Sequence, residues 1–419
     1  MMPIKHAARF LNGAAFKPSD WGDTGLPILR IAQLTGKPFD NYFDGTINRG
    51  LLIRDGDLLF SWSATIDAFI WNRGDAILNQ HIFKVLPKTN AVKKYLYYVI
   101  KAHAPRWADD DAHGSTMRHI KKESLSNKVW IPELEAQNQI VEFLDGEVSK
   151  IDELIDKKKR QVELLREKQK SFSVEEVTGS NISEKSGTGL GQLPFAPSHW
   201  RVKRVAAVFR ESFEMGGEEL PVLSVSINWG ISDRELEDED RHRIVTHIED
   251  RNAYKRVRVG DLVYNMMRAW QGGFGVAKVD GLVSPAYVVA RPSEEIHAPF
   301  FEHLLRTPMW IEEFRRSSKG IADFRQRLYW EHFRQVGLVL PPLEEQVEIA
   351  NRIAANDAAI EAVLTPIQVS IERLAELRSA LITSAVTGQI NVETWGKEGN
   401  TDRRLDQIEE DMALREARA

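Results

Sequence analysis

The chain has 419 residues, enough for two to four domains with full cores, and its 42% hydrophobic content is ordinary for a soluble protein. It contains no cysteine, which excludes disulfides, Cys-ligated zinc and a thiol nucleophile. No apolar run approaches the ~18 residues that a membrane helix needs, and the start lacks a signal-peptide pattern. We therefore expect no membrane association, and the lack of cysteine is compatible with a reducing cytoplasm.

The net charge of −5 hides a segregation along the chain. Segments 1–130 and 185–339 carry more lysine and arginine than acidic residues, whereas 131–184 and 340–419 carry fewer. Local charge, rather than the total, therefore decides which part of the chain suits a polyanion. The two segments that are not acidic are the better candidates for binding nucleic acid.

Residues 1–130 are predicted to form a mixed domain of short strands with one short helix. Segments 27–31 and 57–61 are short apolar runs bounded by turn residues, a pattern that is typical of strands. We predict a helix over 92–102 and a polar loop over 106–115.

The stretch 131–179 recurs at 340–388 without a gap, at a constant offset of 209. In both copies apolar residues alternate at spacings of four and three, with Lys158 and Gln169 completing the first series, which predicts long helices with heptad seams. We predict that the two seams pack together, while an ordinary amphipathic helix on a globular core stays the alternative. The predicted helix-pairing residues are Ile151, Ile155, Val162, Leu165, Phe172, Ile360, Leu364, Ile367, Ile371, Leu374 and Leu381.

The second block repeats the first, because Gly-Asp-Leu-Val-Tyr at 260–264 resembles Gly-Asp-Leu-Leu-Phe at 56–60. We expect Pro366 to kink or break the second long helix, and a short helix near 405–417. The predicted segments are a first domain at 1–130, a helical region at 131–179, a flexible Gly/Ser-rich linker at 180–192, a second domain at 193–339, a second helical region at 340–390 and a polar acidic tail at 391–419.

Sequence motifs for catalysis, cofactors or metals are not found. The glycine-rich stretch 187–191 follows no predicted strand and opens no predicted helix, so it is interpreted as linker rather than as a phosphate loop. There is neither a His-Glu-x-x-His metal motif nor the Asn-Pro-Pro-aromatic motif of amino-methyltransferases. We expect a non-catalytic chain without a cofactor or metal of its own.

Basic, aromatic and amide side chains follow the short strands of both blocks. Arginine reads guanine edges, asparagine and glutamine read adenine, and lysine and arginine bind phosphates. Any one of these residues is more often an ordinary surface charge, and the clusters 118–122 and 315–327 are the stronger candidates. The DNA-binding candidates are Arg30, Arg49, Arg54, Trp62, Gln80, His81, Arg118, His119, Lys121, Lys122, Arg256, Arg258, Arg268, Trp270, Gln271, Arg315, Arg316, Lys319, Arg325 and Arg327.

The length of the predicted seam supplies a second argument for DNA. From Ile151 to Phe172 it would span about 33 Å, close to the ~34 Å turn of B-DNA that separates matched half-sites. Two similar but non-identical domains held one turn apart would read two different sequences with an unread gap. Acidic helices suit the role of spacer and partner platform, because phosphates would repel them.

Four motifs together make the chain resemble a known family. They are Pro-Pro-Leu-Glu-Glu-Gln at 341–346, its weaker copy at 132–137, the Val-Thr-Gly end of each repeat, and Pro-Ser-His-Trp at 197–200. With the alternation of block and helix, they resemble a specificity subunit of a type I restriction-modification system over nearly the whole chain. The sequence departs from the pattern at Glu133, where the second copy has Pro342, and in the first block, which lacks the Pro-x-x-Trp opening.

The resemblance implies an α+β fold with two mixed α/β target-recognition domains, separated by two long antiparallel helices that form a coiled coil in a pseudo-twofold arrangement. It implies double-stranded DNA with a bipartite target, each domain reading one half, in a prokaryotic cytoplasm. It also implies two methyltransferase subunits that carry S-adenosylmethionine, and endonuclease/translocase subunits that use ATP and Mg. The implied partner-docking residues are Pro132, Leu134, Glu135, Gln137, Pro341, Pro342, Leu343, Glu344 and Gln346.

Two other functions remain open at this point. A coiled-coil scaffold would use the flanking domains to bind protein rather than DNA, and the charge contrast between blocks and helices argues against it. An autonomous nuclease or methyltransferase would turn over with Mg²⁺ or a methyl donor, which the missing motifs make unexpected.

Overall fold

In a computed structural model the chain divides into two compact units. Unit 1 comprises Met1–Val162 and Val363–Ala419, and unit 2 comprises Glu163–Ala362. The described residues are 1–46, 48–112, 118–217, 219–227, 230–234, 251–293, 296–320 and 326–416.

Unit 1 contains the strands and helices of the first block. Its helices here are α1 (Ile4–Ala7), α2 (Ile31–Leu34) and α3 (Lys93–Asp111). Its strands are β1 (Met2–Pro3), β2 (Ala8–Asn12), β3 (Leu26–Leu29), β4 (Tyr42–Phe43), β5 (Leu52–Ile53), β6 (Leu58–Ser61), β7 (Asp67–Ile70), β8 (Ala76–Leu78), β9 (Ile82–Pro87) and β10 (Lys128–Val129). One sheet has the order β2-β9-β6-β7 and is antiparallel, and a second has the order β4-β3-β8-β5 with β3 and β8 parallel.

Unit 2 contains the equivalent elements of the second block. Between the long helices it has the short helices α5 (Val205–Val208), α6 (Ala298–Leu305), α7 (Pro308–Ser317) and α8 (Trp330–Phe333). Its strands are β11 (Lys185–Gly187), β12 (Phe195–Pro197), β13 (Arg201–Arg204), β14 (Phe209–Ser212), β15 (Val225–Ser226), β16 (Gly230–Ile231), β17 (Lys255–Val257), β18 (Leu262–Asn265), β19 (Phe274–Val276), β20 (Gly281–Val283), β21 (Tyr287–Pro292) and β22 (Gly337–Leu340).

The principal sheets of the two units have the same topology. The antiparallel order β14-β21-β18-β19 in unit 2 repeats the order β2-β9-β6-β7 in unit 1. In both, the central strand is buried on its two faces. Leu58 and Phe60 of β6 belong to one core cluster and Leu59 to another, because successive side chains of a strand point to opposite faces. Strand β18 divides Leu262 and Tyr264 from Val263 in the same way. The repeat seen in the sequence is therefore a repeat of sheet architecture.

Two long helices follow the blocks, α4 (Leu134–Thr178) and α9 (Leu343–Val386), and each contributes to both units. In unit 2 the contacts Gln169–Asp357 and Glu176–Arg352, at 2.9 Å and 2.6 Å, show that the helices run antiparallel. In unit 1 Asp152 pairs with Arg378 at 2.7 Å. None of the helices in the described residues is long and apolar enough to cross a membrane.

The predicted seam residues face inward to different degrees. Ile151, Ile155, Ile360, Leu364, Ile367, Leu374 and Leu381 are buried. Val162, Leu165, Phe172 and Ile371 are half-buried. Pro366 is also buried, and α9 runs through it without a break, so the predicted break is wrong, while the predicted kink stays a prediction. Proline removes one backbone hydrogen bond from the helix, and packing of both flanking turns retains the helical path here.

The acidic tail folds into two helices, α10 (Val392–Lys397) and α11 (Asn400–Glu416), where the sequence predicted only a short one. Leu405 and Ile408 of α11 pack against the core of unit 1. The apolar residues of the tail are few, and their helical spacing was the available signal.

Two further local predictions were wrong in the residues that the structure describes. Of the loop predicted over 106–115, the part up to Asp111 is helical, because Trp107 and Ala108 are buried and Trp107 stacks on His103 one turn earlier; residues 113–115 lie outside the described residues. The linker predicted as flexible contains β11, which pairs antiparallel with β12.

Candidate nucleic-acid interface

One end of the principal sheet in unit 1 collects polar and aromatic side chains. Strands β2 and β6 end there and β9 begins there, since Asn12 pairs with Phe83 and Ser61 with Ile82. The residues at these strand ends are Asn12, Trp62, Ser63, Gln80 and His81, which we call the unit 1 edge.

Hydrogen bonds connect the side chains of the unit 1 edge. The Trp62 indole N–H donates to Asn12 Oδ1 at 3.3 Å, and the Trp62 and His81 rings lie 5.2 Å apart. Gln80 Nε2 lies 3.2 Å from His81 Nε2, and Ser63 Oγ lies 3.2 Å from His81 Nδ1. When Nδ1 carries the proton, His81 accepts from Gln80 and donates to Ser63. The histidine therefore fixes the direction of the Gln80 amide.

The backbone holds this cluster together at a close crossing. A Cβ on Gly13 would lie 2.0 Å from the carbonyl oxygen of Asn79, so only glycine allows the chain after β2 to pass the turn before β9. Ala64, just after β6, adopts the left-handed region with a φ of 54°. Ser63 forms a β-bridge with His119, which brings this candidate to the same edge.

The same end of the principal sheet in unit 2 carries different side chains. Strands β14 and β18 end there and β21 begins there. After β18 comes a tight turn in which Arg268 Nη1 donates to Gln271 Oε1 at 2.7 Å. The Trp270 indole donates to the Met267 carbonyl at 3.0 Å, and the Arg315 guanidinium lies 5.7 Å from the Trp270 ring. We call Met267, Arg268, Trp270, Gln271 and Arg315 the unit 2 edge.

Large apolar side chains are exposed at the unit 2 edge and beside it. Phe213, directly after β14, is 67% exposed, Met215 is 52% exposed and Met267 is 40% exposed. The Lys255 ammonium lies 5.7 Å from the Phe213 ring. This end of the unit 2 sheet therefore presents apolar side chains next to a cation.

Several predicted DNA-binding arginines already contact carboxylates. Arg30 pairs with Asp40 and holds the pKa of that carboxyl below its usual range through a hydrogen bond. The other paired residues are Arg118 with Asp109, Arg256 with Glu214 and Asp280, Arg258 with Glu214, and Arg315 and Arg316 with Glu312. Any phosphate that binds these arginines would have to compete with the carboxylates that they already contact.

The remaining candidates lie at several places outside the two edges. Arg49 begins a short turn of 3-10 helix, and the Arg54 backbone N–H donates to Asp57. Lys121 and Lys122 are exposed before β10. Lys319 and Arg327 exchange backbone hydrogen bonds at 3.0 Å, and Arg325 lies outside the described residues.

The glutamines of the repeated Pro-x-Leu-Glu segments are buried. Gln137 Oε1 accepts from the Val92 N–H at 2.8 Å, and its Nε2 donates to the Asn90 and Pro132 carbonyls. Gln346 makes the corresponding bonds to the His297 N–H and the Pro341 carbonyl, each at 2.9 Å. Both side chains are fully buried, so they tie each long helix to its own block and present no surface to a partner.

Other predicted docking residues are accessible. Leu134 and Leu343, at equivalent positions of the repeat, are 44% and 43% exposed. Glu135, Glu344 and Pro342 are exposed, Pro132 is half-buried and Pro341 is buried.

The Pro-Ser-His-Trp motif belongs to the same junction in unit 2. The Trp200 indole donates to Glu345 Oε1 at 3.0 Å, and His199 Nε2 lies 2.8 Å from Glu345 Oε2. The first repeat has Ala136 where the second has Glu345, so the first copy lacks both the carboxylate and the tryptophan motif that contacts it in unit 2.

No group of three or more potential metal ligands is found among the residues that the structure describes. Asn12 and Ser63 were missed by sequence reasoning. Ser63 follows the predicted strand at 57–61 by two residues, whereas no strand was predicted before Asn12.

The chain is similar to several known proteins. Residues 8–164 match the family described as type I restriction modification DNA specificity domain. The chain is 22% identical over 411 residues to the type I restriction enzyme EcoBI specificity subunit of Escherichia coli, covering 93% of this chain and 86% of that protein. It is 24% identical over 375 residues to the MjaVIII specificity subunit of Methanocaldococcus jannaschii, covering 82% and 81%. A solved chain of a type I R-M system superposes with a TM-score of 0.53 at 16% identity, over 93% of this chain and 100% of that one.

Proposed function

We propose a division of labour between the two units of a chain that belongs to the specificity subunits of type I restriction-modification systems. DNA sequence recognition is the function of the chain. In the proposal, unit 1 reads one half of a bipartite double-stranded target and unit 2 reads the other. The chain itself catalyses nothing: S-adenosylmethionine is bound by methyltransferase partners, and ATP and Mg by the endonuclease partner.

The observation that carries this proposal is that two sheets with the same topology present different side chains at the same end. The unit 1 edge presents the amides of Asn12 and Gln80, with His81 fixing the Gln80 amide. The unit 2 edge presents Arg268 with Gln271, beside exposed Phe213. Amides pair with adenine, arginine with guanine, and apolar side chains contact the thymine methyl group. Equal scaffolds with unequal edges are what an asymmetric bipartite target requires.

Phosphate contacts would fix the register without reading bases. Arg49, Lys121, Lys122, Lys319 and Arg327 suit this role, because no carboxylate within the described residues forms a salt bridge with them. Each phosphate contact contributes to affinity through counterion release, so binding should weaken steeply with added salt.

The docking of two methyltransferase subunits is proposed at the starts of α4 and α9. Leu134 and Leu343 have nearly equal exposure at equivalent positions, each followed by an exposed glutamate. Two matched surfaces suit two copies of one partner. Endonuclease subunits would join the resulting complex, and the spacing between half-sites would follow from the length of the helices.

The decisive experiment measures DNA binding by the chain purified with the methyltransferase subunits of its system. Mapping methylated adenines in a host genome that carries the system defines the two half-sites. Gln80→Ala should relax discrimination about 10- to 100-fold in one half, and Arg268→Ala in the other, as expected for single base contacts. Gln161→Ala on α4 and Arg334→Ala after α8, both exposed, serve as matched controls.

Three outcomes would count against the proposal. Absent or salt-insensitive binding would contradict DNA reading and favour the scaffold function. Equal effects of Gln80→Ala on both halves would contradict the division between units. Methyl transfer or cleavage by the chain alone would contradict its non-catalytic role.

A further inference from the structure

A lysine lies in the otherwise apolar seam of α4. Lys158 sits between Ile155 and Val162 at heptad spacing, and its side chain is only 4% exposed. Burying an ammonium without a counter-charge is strongly unfavourable, so buried ammonium groups are usually paired. The seam of unit 1 therefore needs a carboxylate at this position.

That carboxylate comes from the tail. The Lys158 Nζ lies 2.7 Å from Glu409 Oε1 and donates to Met412 Sδ at 3.2 Å. The Oε1 atom of Glu409 is itself buried. Helix α11 thus supplies the group that makes Lys158 tolerable in the seam, from a segment about 250 residues further along the chain.

Two more ion pairs attach α11 to both long helices within unit 1. Asp402 lies 3.1 Å from Lys150 of α4, and Asp411 lies 2.6 Å from Arg373 of α9. Between these charges, Leu405 and Ile408 pack on the core of unit 1. One face of the helix pair therefore carries three cations around an apolar strip, and α11 carries the complementary pattern.

The repeat shows that this face is specific to unit 1. At the offset of 209, Lys158 corresponds to Ile367, Lys150 to Ala359 and Arg373 to Leu164. None of the three cations is present in the other copy. The long helices therefore do not need these cations in order to pair, and the cations occur where α11 of the tail packs.

We propose that the helix pair of unit 1 carries a docking surface for an acidic amphipathic helix, and that α11 of the same chain occupies this surface. Through Lys158, the closed packing of the seam depends on the presence of α11. When α11 leaves, Lys158 loses its counter-charge and must reach water. Because Lys158 occupies the heptad series between Ile155 and Val162, its hydration brings water to the seam at these residues. Helix α11 and this part of α4 therefore open together, as one unit.

Hydrogen–deuterium exchange on the full chain tests this coupling. Glu409→Gln removes the counter-charge and should raise exchange in α11 and in residues 150–162 of α4 by about tenfold or more. Glu410→Gln, its exposed neighbour, is the matched control and should change neither segment. Faster exchange in α11 alone, with α4 unchanged, would overturn the coupling.

Lys158→Met provides the second arm, because methionine fills a similar volume without a charge. In this background the residues 150–162 should stay protected, and adding Glu409→Gln should have less than about a third of its effect in the wild-type chain on a logarithmic scale. Lys157→Met, at an exposed position, should leave the Glu409→Gln effect intact. Additive effects of Lys158→Met and Glu409→Gln would contradict the inference.

The docking surface itself is tested with a synthetic peptide of residues 400–416. Added to the full-length Glu409→Gln variant, the wild-type peptide should restore protection of residues 150–162. The same peptide with glutamine at the positions of Asp402, Glu409 and Asp411 should not. Equal restoration by both peptides, or by neither, would overturn the charge-coded surface.

Discussion

Unit 1 and unit 2 place equivalent strands together but fill one position in opposite ways. Phe10 of β2 lies opposite Val85 of β9, which in turn lies opposite Leu58 of β6. The Phe10 ring packs edge-on against the rings of Phe60 and Phe83. Glu211 of β14 occupies the equivalent position in unit 2, because it lies opposite Ala290 of β21, which lies opposite Leu262 of β18. The ladder is retained while the side chain changes from aromatic to acidic.

This difference shows that the two sheets share their backbone pairing and differ in their side chains. Backbone pairing and the alternation of strand side chains are the same in both sheets, because a register change would move every core residue to the wrong face. Side chains near the sheet end are free to differ, and they differ in charge, size and hydrogen bonding. The recognition chemistry that we propose lies at that same end.

The largest effect is expected where the two units agree most closely. Gln137→Ala and Gln346→Ala each remove a buried amide and leave backbone groups without partners, which should destabilise the affected unit by about 4 kcal/mol. The two losses should be similar, because the amides play equivalent parts. Urea unfolding read out by exchange in each unit measures them, with exposed Asn138→Ala as control. A loss below about 1 kcal/mol in either unit would contradict this equivalence.

A second comparison concerns the aspartate that caps the turn before each central strand. Asp261 is 2% exposed and contacts Arg291 at 2.8 Å, whereas Asp57 is 21% exposed and contacts Lys84 at 2.6 Å. The hydrogen bond from Arg291 to Asp261 raises the pKa of that guanidinium, so the arginine stays charged. Both aspartates accept a backbone N–H three residues earlier.

Because Asp261 is more deeply buried than Asp57, Asp261→Asn should destabilise by about 3 kcal/mol and Asp57→Asn by about 1 kcal/mol. The same unfolding measurement compares the two. Equal losses would show that burial of the aspartate does not decide the contribution of the pair.

Much of this architecture could be predicted from the sequence. The offset of 209 and the heptad spacing indicated two long helices, and the matching Gly-Asp motifs indicated that the blocks share a fold. The heptad spacing is a strong signal because it follows from the periodic burial of helix residues, and this periodicity can be seen in a single sequence.

The candidate site could be predicted only in part. Trp62, Gln80 and His81 were chosen as residue types, and Arg258 and Arg316 were chosen by the same rule although each contacts a carboxylate. Ion pairing depends on side chains brought together by the fold. The ion pair between Lys158 and Glu409 could not be predicted for the same reason, since no neighbouring residue in α4 indicates a contact with the tail.

The smallest predicted effect depends on pH and separates the two units at Phe10 and Glu211. Burial raises the pKa of Glu211 above its ordinary value, with Glu331 adding to the rise and Lys255 opposing it. A carboxyl whose pKa is higher in the folded state stabilises the fold at low pH. This contribution is complete below the unfolded pKa and is lost as pH rises through the raised folded pKa. Unit 1, with phenylalanine at this position, has no such contribution.

Replacing Glu211 with glutamine should therefore remove a loss of stability that unit 2 undergoes as pH rises above about 4.3, the ordinary glutamate value. The measurement is the difference in unfolding midpoint between Glu211→Gln and the unmodified chain from pH 4 to pH 8, which should grow in favour of the variant. Glu219→Gln, at an exposed position, controls for the change in net charge. A difference independent of pH would mean that the Glu211 carboxyl is not desolvated by the sheet, and the two units would then differ at this position in shape alone.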